Sequence, residues 1–273
     1  LRKGMPKCLL HRQSLLRMES EMKPDHQRIG LFLGLSLLAM FAVPLNAAAD
    51  NTIPDPLDLY RSLNGHLSGA NIFSVHIEKQ FDVVMLDGSK VLYGGALDLL
   101  VNREGGLHID YGDDISAKEA WYDGSTLTIM DHLENVYARI PAAGRVGEMV
   151  VDVNERFGLE LPLAPLIEVW KPDEFEAAVQ SASYLGLHDA AGQSCHHTLY
   201  RGANVDLQLW ITTGEKPLLR KMVVTFWNIE GSPQQSLVFS DWNLEPEINS
   251  RSFQADIPDG AVKTEFLPRG EQS

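Results

Sequence analysis

Cys195, His196 and His197 follow one another, and thiolate and imidazole are the ligand types of zinc sites. Neighbouring residues on a strand point to opposite faces, so only Cys195 and His197 can share one. Completing a metal set then needs His188 or Asp189 from the adjoining strand. The simpler reading is a strand whose alternation happens to contain two imidazoles, and no metal is expected. Asp110, Asp113 and Asp114 are the next cluster, suggesting paired carboxylates or a calcium loop. Their spacing does not match a calcium loop, and acidic residues are ordinary in turns. Tryptophans at 121, 170, 210, 227 and 242 suit either an apolar pocket or core and cross-strand packing. Trp210 alternates with Leu207, Leu209 and Ile211, which puts it on the outer side with Gln208. No nucleophile elbow, Walker loop, dinucleotide fingerprint, His-Glu-x-x-His or Cys-x-x-Cys occurs, so no catalytic residue and no cofactor is expected.

The elements that position these residues read as strands. Phe73, Val75, Ile77, Phe81, Val83 and Met85 are apolar at alternate positions, broken only by Lys79, while Ser74, His76, Glu78, Gln80 and Asp82 lie between them. That period of two describes a strand with one wet face. Val91, Tyr93, Leu97, Leu99 and Val101 repeat it after Asp87-Gly88, a turn pair that tolerates positive φ. Further turns at Gly105-Gly106, Asp123-Gly124, Ala191-Gly192, Thr213-Gly214 and Gly231-Ser232-Pro233 predict successive antiparallel hairpins, with no βαβ rhythm and no parallel sheet.

Two regions break the alternation. Residues 55–69 read as a helix with Leu57, Tyr60, Leu63 and Leu67 along one side and Pro56 in its first turn. Residues 145–180 read as a helix carrying Met149, Val150, Val153 and Phe157 and closed by Gly158, then two short helices over 163–170 and 172–179. A long antiparallel sheet with one apolar face must cover it, and these helices are the candidates. The fold class is therefore α+β, mainly β: a strongly curved antiparallel sheet forming an unclosed half-barrel, with a helical lid on its concave side. Whether its interior is hollow or filled, alternation does not say.

The chain has 273 residues, 23 basic against 37 acidic, for a net charge of -14. An acidic surface is a poor partner for nucleic acid. Lys23, His26 and Arg28 precede an uncharged run over 29–45, which ends in Asn46-Ala47-Ala48-Ala49. A basic n-region, an apolar h-region and small residues at the cut site predict a signal peptide over 22–49 and no stable membrane span once it is removed. Met22 is the better start, so residues 1–21 are expected to come from a mis-called one. Cleavage after Ala49 removes Cys8 and leaves Cys195 alone, with no internal disulfide and no lipidation cysteine. The expected product is periplasmic and not lipidated, with one domain over 50–268 and a flexible tail over 269–273.

Residues 121–141, WYDGSTLTIMDHLENVYARIP, resemble the LolA and LolB type of periplasmic lipoprotein carrier, in which an Asp-Gly turn leads into a hairpin. Residues 207–228, LQLWITTGEKPLLRKMVVTFWN, resemble the same group's central hairpin. The order of Tyr-Asp-Gly, Leu161-Pro162-Leu163-Ala164, Cys-His-His and Ser240-Asp241-Trp242 is similar to a family of predicted periplasmic proteins, domain of unknown function two thousand ninety-two. The resemblance implies a bent, unclosed antiparallel sheet with a helical lid and a cavity that holds acyl chains in the carriers. No lipidation cysteine follows the expected leader, which sets the chain apart from the group's membrane-anchored receptor branch. The basic residue that carriers place on an early strand has no assigned counterpart; Lys79 is the only cation on the inward-reading face of its strand.

Three functions follow. The first is a non-enzymatic periplasmic carrier holding an acyl chain, lipid or other apolar ligand, lined by Phe73, Val75, Leu97, Leu99, Leu209 and Phe226, with Met149, Phe157 and Trp170 from the lid. The second is a cell-envelope protein-interaction module with a filled core and no small ligand. A metal-dependent enzyme around Cys195 and His197 is the third and weakest reading.

Overall fold

The computed structural model describes residues 53–159, 161 and 172–266. Twelve strands form one sheet: β1 Ile72–Val84, β2 Lys90–Asn102, β3 Gly106–Asp113, β4 Ala117–Tyr122, β5 Thr126–Asp131, β6 Val136–Pro141, β7 Ser181–Ala190, β8 Gln193–Arg201, β9 Asp206–Thr212, β10 Leu219–Thr225, β11 Gln234–Asn243 and β12 Val262–Thr264. Their order is β12-β6-β5-β4-β3-β2-β1-β11-β10-β9-β8-β7. The ends β12 and β7 do not meet, so the curved sheet stays open. Within β1–β6 and within β7–β11 consecutive strands pair as antiparallel hairpins, as the turn signals predict; β1 joins the two halves by pairing with both β2 and β11. One pair differs from expectation. β12 lies parallel to β6, with Val262 opposite Val136. It is three residues long and exposed, so no hydrophobic pattern announces it.

Three helices are described: α1 Pro56–Ser68, α2 Val146–Phe157 and α3 Pro172–Ala178. Asp55 caps α1, its Oδ1 accepting from the Leu57 N–H at 2.7 Å, and Pro56 occupies the first turn where no N–H is needed. Glu148 reaches back to accept from the Arg145 N–H at 2.9 Å, and Gly158 ends α2 at φ 69°, a left-handed conformation that favours glycine. The expected helix over 163–170, Trp170, the leader over 1–49 and the tail over 269–273 lie outside the described residues.

The helices cover the face that alternation marks as apolar. Tyr60 and Leu63 of α1 and Val146, Met149, Val150 and Val153 of α2 share one core with Phe73, Val75, Leu97, Leu99, Leu209 and Phe239. Each such side chain contributes about 1.5–3 kcal/mol on burial. Arg103, in the β2–β3 turn, ties both helices to one end of the sheet: its Nε donates to the Ala70 carbonyl just past α1 at 3.1 Å, and its carbonyl accepts from Val146 N–H at the start of α2 at 3.1 Å. α3 docks on α1 through Phe175 stacked on Tyr60, centroids 3.9 Å apart, and through Arg61 paired with Glu176 at 2.6 Å. Tyr200 of β8 donates to the Pro56 carbonyl at 2.6 Å and so fixes the other end of α1.

Candidate ligand cavity

A cavity of 440 Å³ lies on the inner face beyond the packed core, on the side of the β3–β4 turn. Its floor is Leu97 of β2, Ile109 of β3, Ala120 of β4, Ile129 of β5 and Leu237 of β11. The register places Ile109, Ala120 and Ile129 directly opposite one another across three strands. Leu159 and Leu161, just after Gly158 turns the chain out of α2, form the opposite wall. Strand pairing leaves these walls with apolar side chains, because the backbone polar groups are spent in the ladder. Gly95 lets β2 approach β3 closely here; a Cβ on it would collide with the Gly112 carbonyl.

One wall is polar. Lys79 interrupts the apolar run of β1 at the residue opposite Leu237 and Gly95, so its ammonium enters the cavity beside Leu97. Its Nζ lies 3.4 Å from the Tyr111 hydroxyl, 4.4 Å from the Phe81 ring centroid and 5.3 Å from that of Tyr111. Tyr111 in turn donates to Asp113. Burial pushes the Lys79 pKa down, and the charge of Asp113 opposes that shift. Burial, with Asp113 beside it, pushes the Tyr111 hydroxyl up. Lys118, also at the cavity, is paired with Asp131 at 3.2 Å. Among the described residues no carboxylate lies within ion-pair distance of Lys79.

The nine residues expected from the sequence to line a pocket distribute unevenly. Leu97 is at the cavity floor. Phe73, Val75, Leu99, Leu209 and Met149 are buried in the core beside it, each at 2% exposure or less. Phe157 is half-buried against that core, and Phe226 is half-buried one residue past the end of β10. Trp170 lies outside the described residues. Ile109, Tyr111, Ala120, Ile129, Leu159, Leu161 and Leu237 line the cavity without being among the nine. The alternation of Leu107, Ile109 and Tyr111 on β3 carries the signal, overshadowed by the acidic residues between and after them. Leu159 and Leu161 lie in an irregular segment, where the short alternation Leu159, Leu161, Leu163 is cut by Pro162 and marks no described strand.

The residues that look catalytic have other work. Asp113 accepts from Ile115 N–H at 2.9 Å and Asp114 from Gly94 N–H at 2.8 Å, so both organise the β3–β4 turn. Cys195 is buried, and burial raises its thiol pKa. His188 does come from the adjoining strand: its Nδ1 is 2.9 Å from Nδ1 of His197, whose Nε2 is 3.1 Å from Gln208 Oε1. His197 also stacks on Trp210, centroids 3.8 Å apart, on the outer face expected for Trp210. Among the described residues no three His, Cys, Asp or Glu side chains converge to hold a metal, and no helix there is long and apolar enough to cross a membrane.

Solved structures of similar shape include an uncharacterized conserved protein from Thermus thermophilus, at 8% identity over 76% of this chain and 97% of that one, TM-score 0.44. The lipoprotein LppX of Mycobacterium tuberculosis is 16% identical over 72% of this chain and 100% of that one, TM-score 0.44. A LolA superfamily protein from Nitrosomonas europaea is 10% identical over 74% and 98%, TM-score 0.33. No curated protein matches the sequence. A family model does, over residues 58–267, and the chain belongs to that family, described as predicted periplasmic protein (DUF2092).

Proposed function

We propose that this protein is a non-enzymatic periplasmic carrier that holds an acyl chain, or a similar apolar ligand with an anionic end, in the cavity between β1–β5 and the segment after α2. The observation that carries the reading is a 440 Å³ cavity, apolar over most of its lining, with the half-buried ammonium of Lys79 on its wall and Ser116, Lys118, Glu119 and Gln235 along its polar side. That volume lies within the roughly 300–1,000 Å³ of small-molecule sites. Burying about ten methylenes contributes about 8 kcal/mol, enough to outweigh much of the cost of association. The ammonium of Lys79 gives orientation: hydrocarbon lies over Ile109, Ala120 and Ile129, and a carboxylate or phosphate meets Nζ. Loss of water around Lys79 strengthens that contact, since charge-assisted hydrogen bonds gain in a low dielectric. The expected signal peptide over 22–49 and the family's description both accord with a periplasmic place of work.

Titration with a dansyl-labelled fatty acid tests the reading. Saturable, one-to-one uptake with a fluorescence blue shift is expected. The dense packing of Phe73, Val75, Leu99 and Leu209 favours a second reading, an envelope interaction module with a filled core. No uptake of the probe would select that module and end the carrier proposal.

A further inference from the structure

The β1–β2 hairpin runs past the strands on either side of it. β1 pairs with β11 as far as Phe81 and Gln235, and β2 pairs with β3 as far as Gly95 and Asp113, whereas β1 and β2 continue together to Val84 and Lys90. Three further pairs and a tight turn make a ribbon projecting about 10 Å. A projecting ribbon normally carries polar side chains, because both its faces meet water. This one carries Met85 at 45% exposure, Leu86 fully exposed and Leu92 at 59%; Val91, pointing the other way from Leu92, is exposed as well.

Two other turns extend the apolar tip. Gly231 sits against Val84, where an added Cβ would lie 3.1 Å from Cγ2, and holds the β10–β11 loop with its exposed Trp227 and Ile229 beside the ribbon. Asp114 binds Gly94 through two hydrogen bonds, 2.8 and 3.1 Å, and holds exposed Ile115 on the other side. The cavity reaches the same end: Ser116, next to Ile115, and Gln235, next to the β10–β11 loop, line it.

We propose that this tip, formed by Met85, Leu86, Leu92, Ile115, Trp227 and Ile229, docks the protein on a lipid bilayer and sets the cavity mouth against it. Apolar side chains spread over three separate turns and two faces of one ribbon suit a soft apolar phase better than a single protein segment or a second copy. A bilayer asks only that apolar atoms project far enough, with an aromatic ring near the interface. Asp87 at the tip, Glu230 in the loop and the chain's net charge of -14 make attraction to anionic lipid an unsuitable driving force. Entry is therefore by hydrophobic insertion. The purpose of the docking rests on the carrier reading; its occurrence does not.

Flotation of the exported protein with phosphatidylcholine vesicles tests the inference, with Leu86→Ser/Leu92→Ser as the variant. Both residues are exposed, so the variant keeps its fold. Wild type is expected to float with the vesicles at low and high salt, without gain from added phosphatidylglycerol, and with a blue shift of tryptophan emission that Trp227→Ser removes. The double variant is expected to bind at least tenfold more weakly while taking up the dansyl fatty acid as wild type does. Equal flotation of wild type and double variant overturns the inference. So does binding that needs phosphatidylglycerol and vanishes in salt, or a wild-type dimer in solution that the double variant dissociates. If wild type floats but neither protein takes up the fatty acid, the carrier reading fails and the docking stands.

Discussion

Replacing Ala120 with phenylalanine separates a real cavity from a packed core. Ala120 is the small residue in the middle of the floor, with Ile109 and Ile129 opposite it on either side. A ring planted there occupies space that roughly four methylenes of an acyl chain would fill. At about 0.8 kcal/mol per methylene the variant loses about 3 kcal/mol of binding, on the order of 200-fold in Kd. The free protein moves the other way. A ring entering empty apolar space gains burial and dispersion contacts, so the urea midpoint holds or rises. Overpacking a closed core instead costs about 1–3 kcal/mol. Two assays read this out, titration with the dansyl fatty acid and urea unfolding followed by far-ultraviolet circular dichroism. An Ala120→Phe protein destabilised by that amount with unchanged probe affinity refutes the cavity.

Further outcomes follow from the same geometry. Lys79→Met removes a half-buried ammonium that among the described residues has no ion-pair partner, so unfolding measured at neutral pH shows a more stable protein; affinity for a fatty acid falls about tenfold or more while that for the matching fatty alcohol does not. Leu209→Ala opens a void in the core away from the cavity floor, costing about 2–5 kcal/mol in urea unfolding with little effect on probe affinity in the folded protein. Burial holds the His196 and His197 pKa values below the usual imidazole range. The unfolded chain therefore takes up protons first as pH falls through about 6.5, and stability present above that pH is lost below it. His197→Gln flattens that fall in urea midpoints measured across it; an unchanged profile in the variant contradicts the assignment.

The sheet was legible because period-two alternation reports which face is apolar. Phe73, Val75 and Ile77 on β1 and Leu97, Leu99 and Val101 on β2 are buried where alternation puts them. The helix ends were legible through chemistry at single residues: Asp55 and Pro56 before α1, Gly158 after α2. The cavity was not. Leu97 and Leu99 look alike in sequence, yet only Leu97 reaches the open space, since the difference lies in what covers them. That cover includes Leu159 and Leu161 from a segment whose short alternation belongs to no described strand. Lys79 stood out as the break in its strand, but its partners Tyr111 and Asp113 lie two strands away and become neighbours only through the register of β1 with β2 and β2 with β3. Likewise β12 joins the edge through three exposed residues that bury nothing.

Native mass spectrometry of the protein purified after export addresses the carrier claim most directly. A bound species of lipid mass, retained in wild type, depleted in Ala120→Phe and identified after organic extraction as an acyl compound with an acidic group, is the predicted result. A single ligand-free mass for wild type, unchanged after incubation with fatty acid or phospholipid, contradicts it.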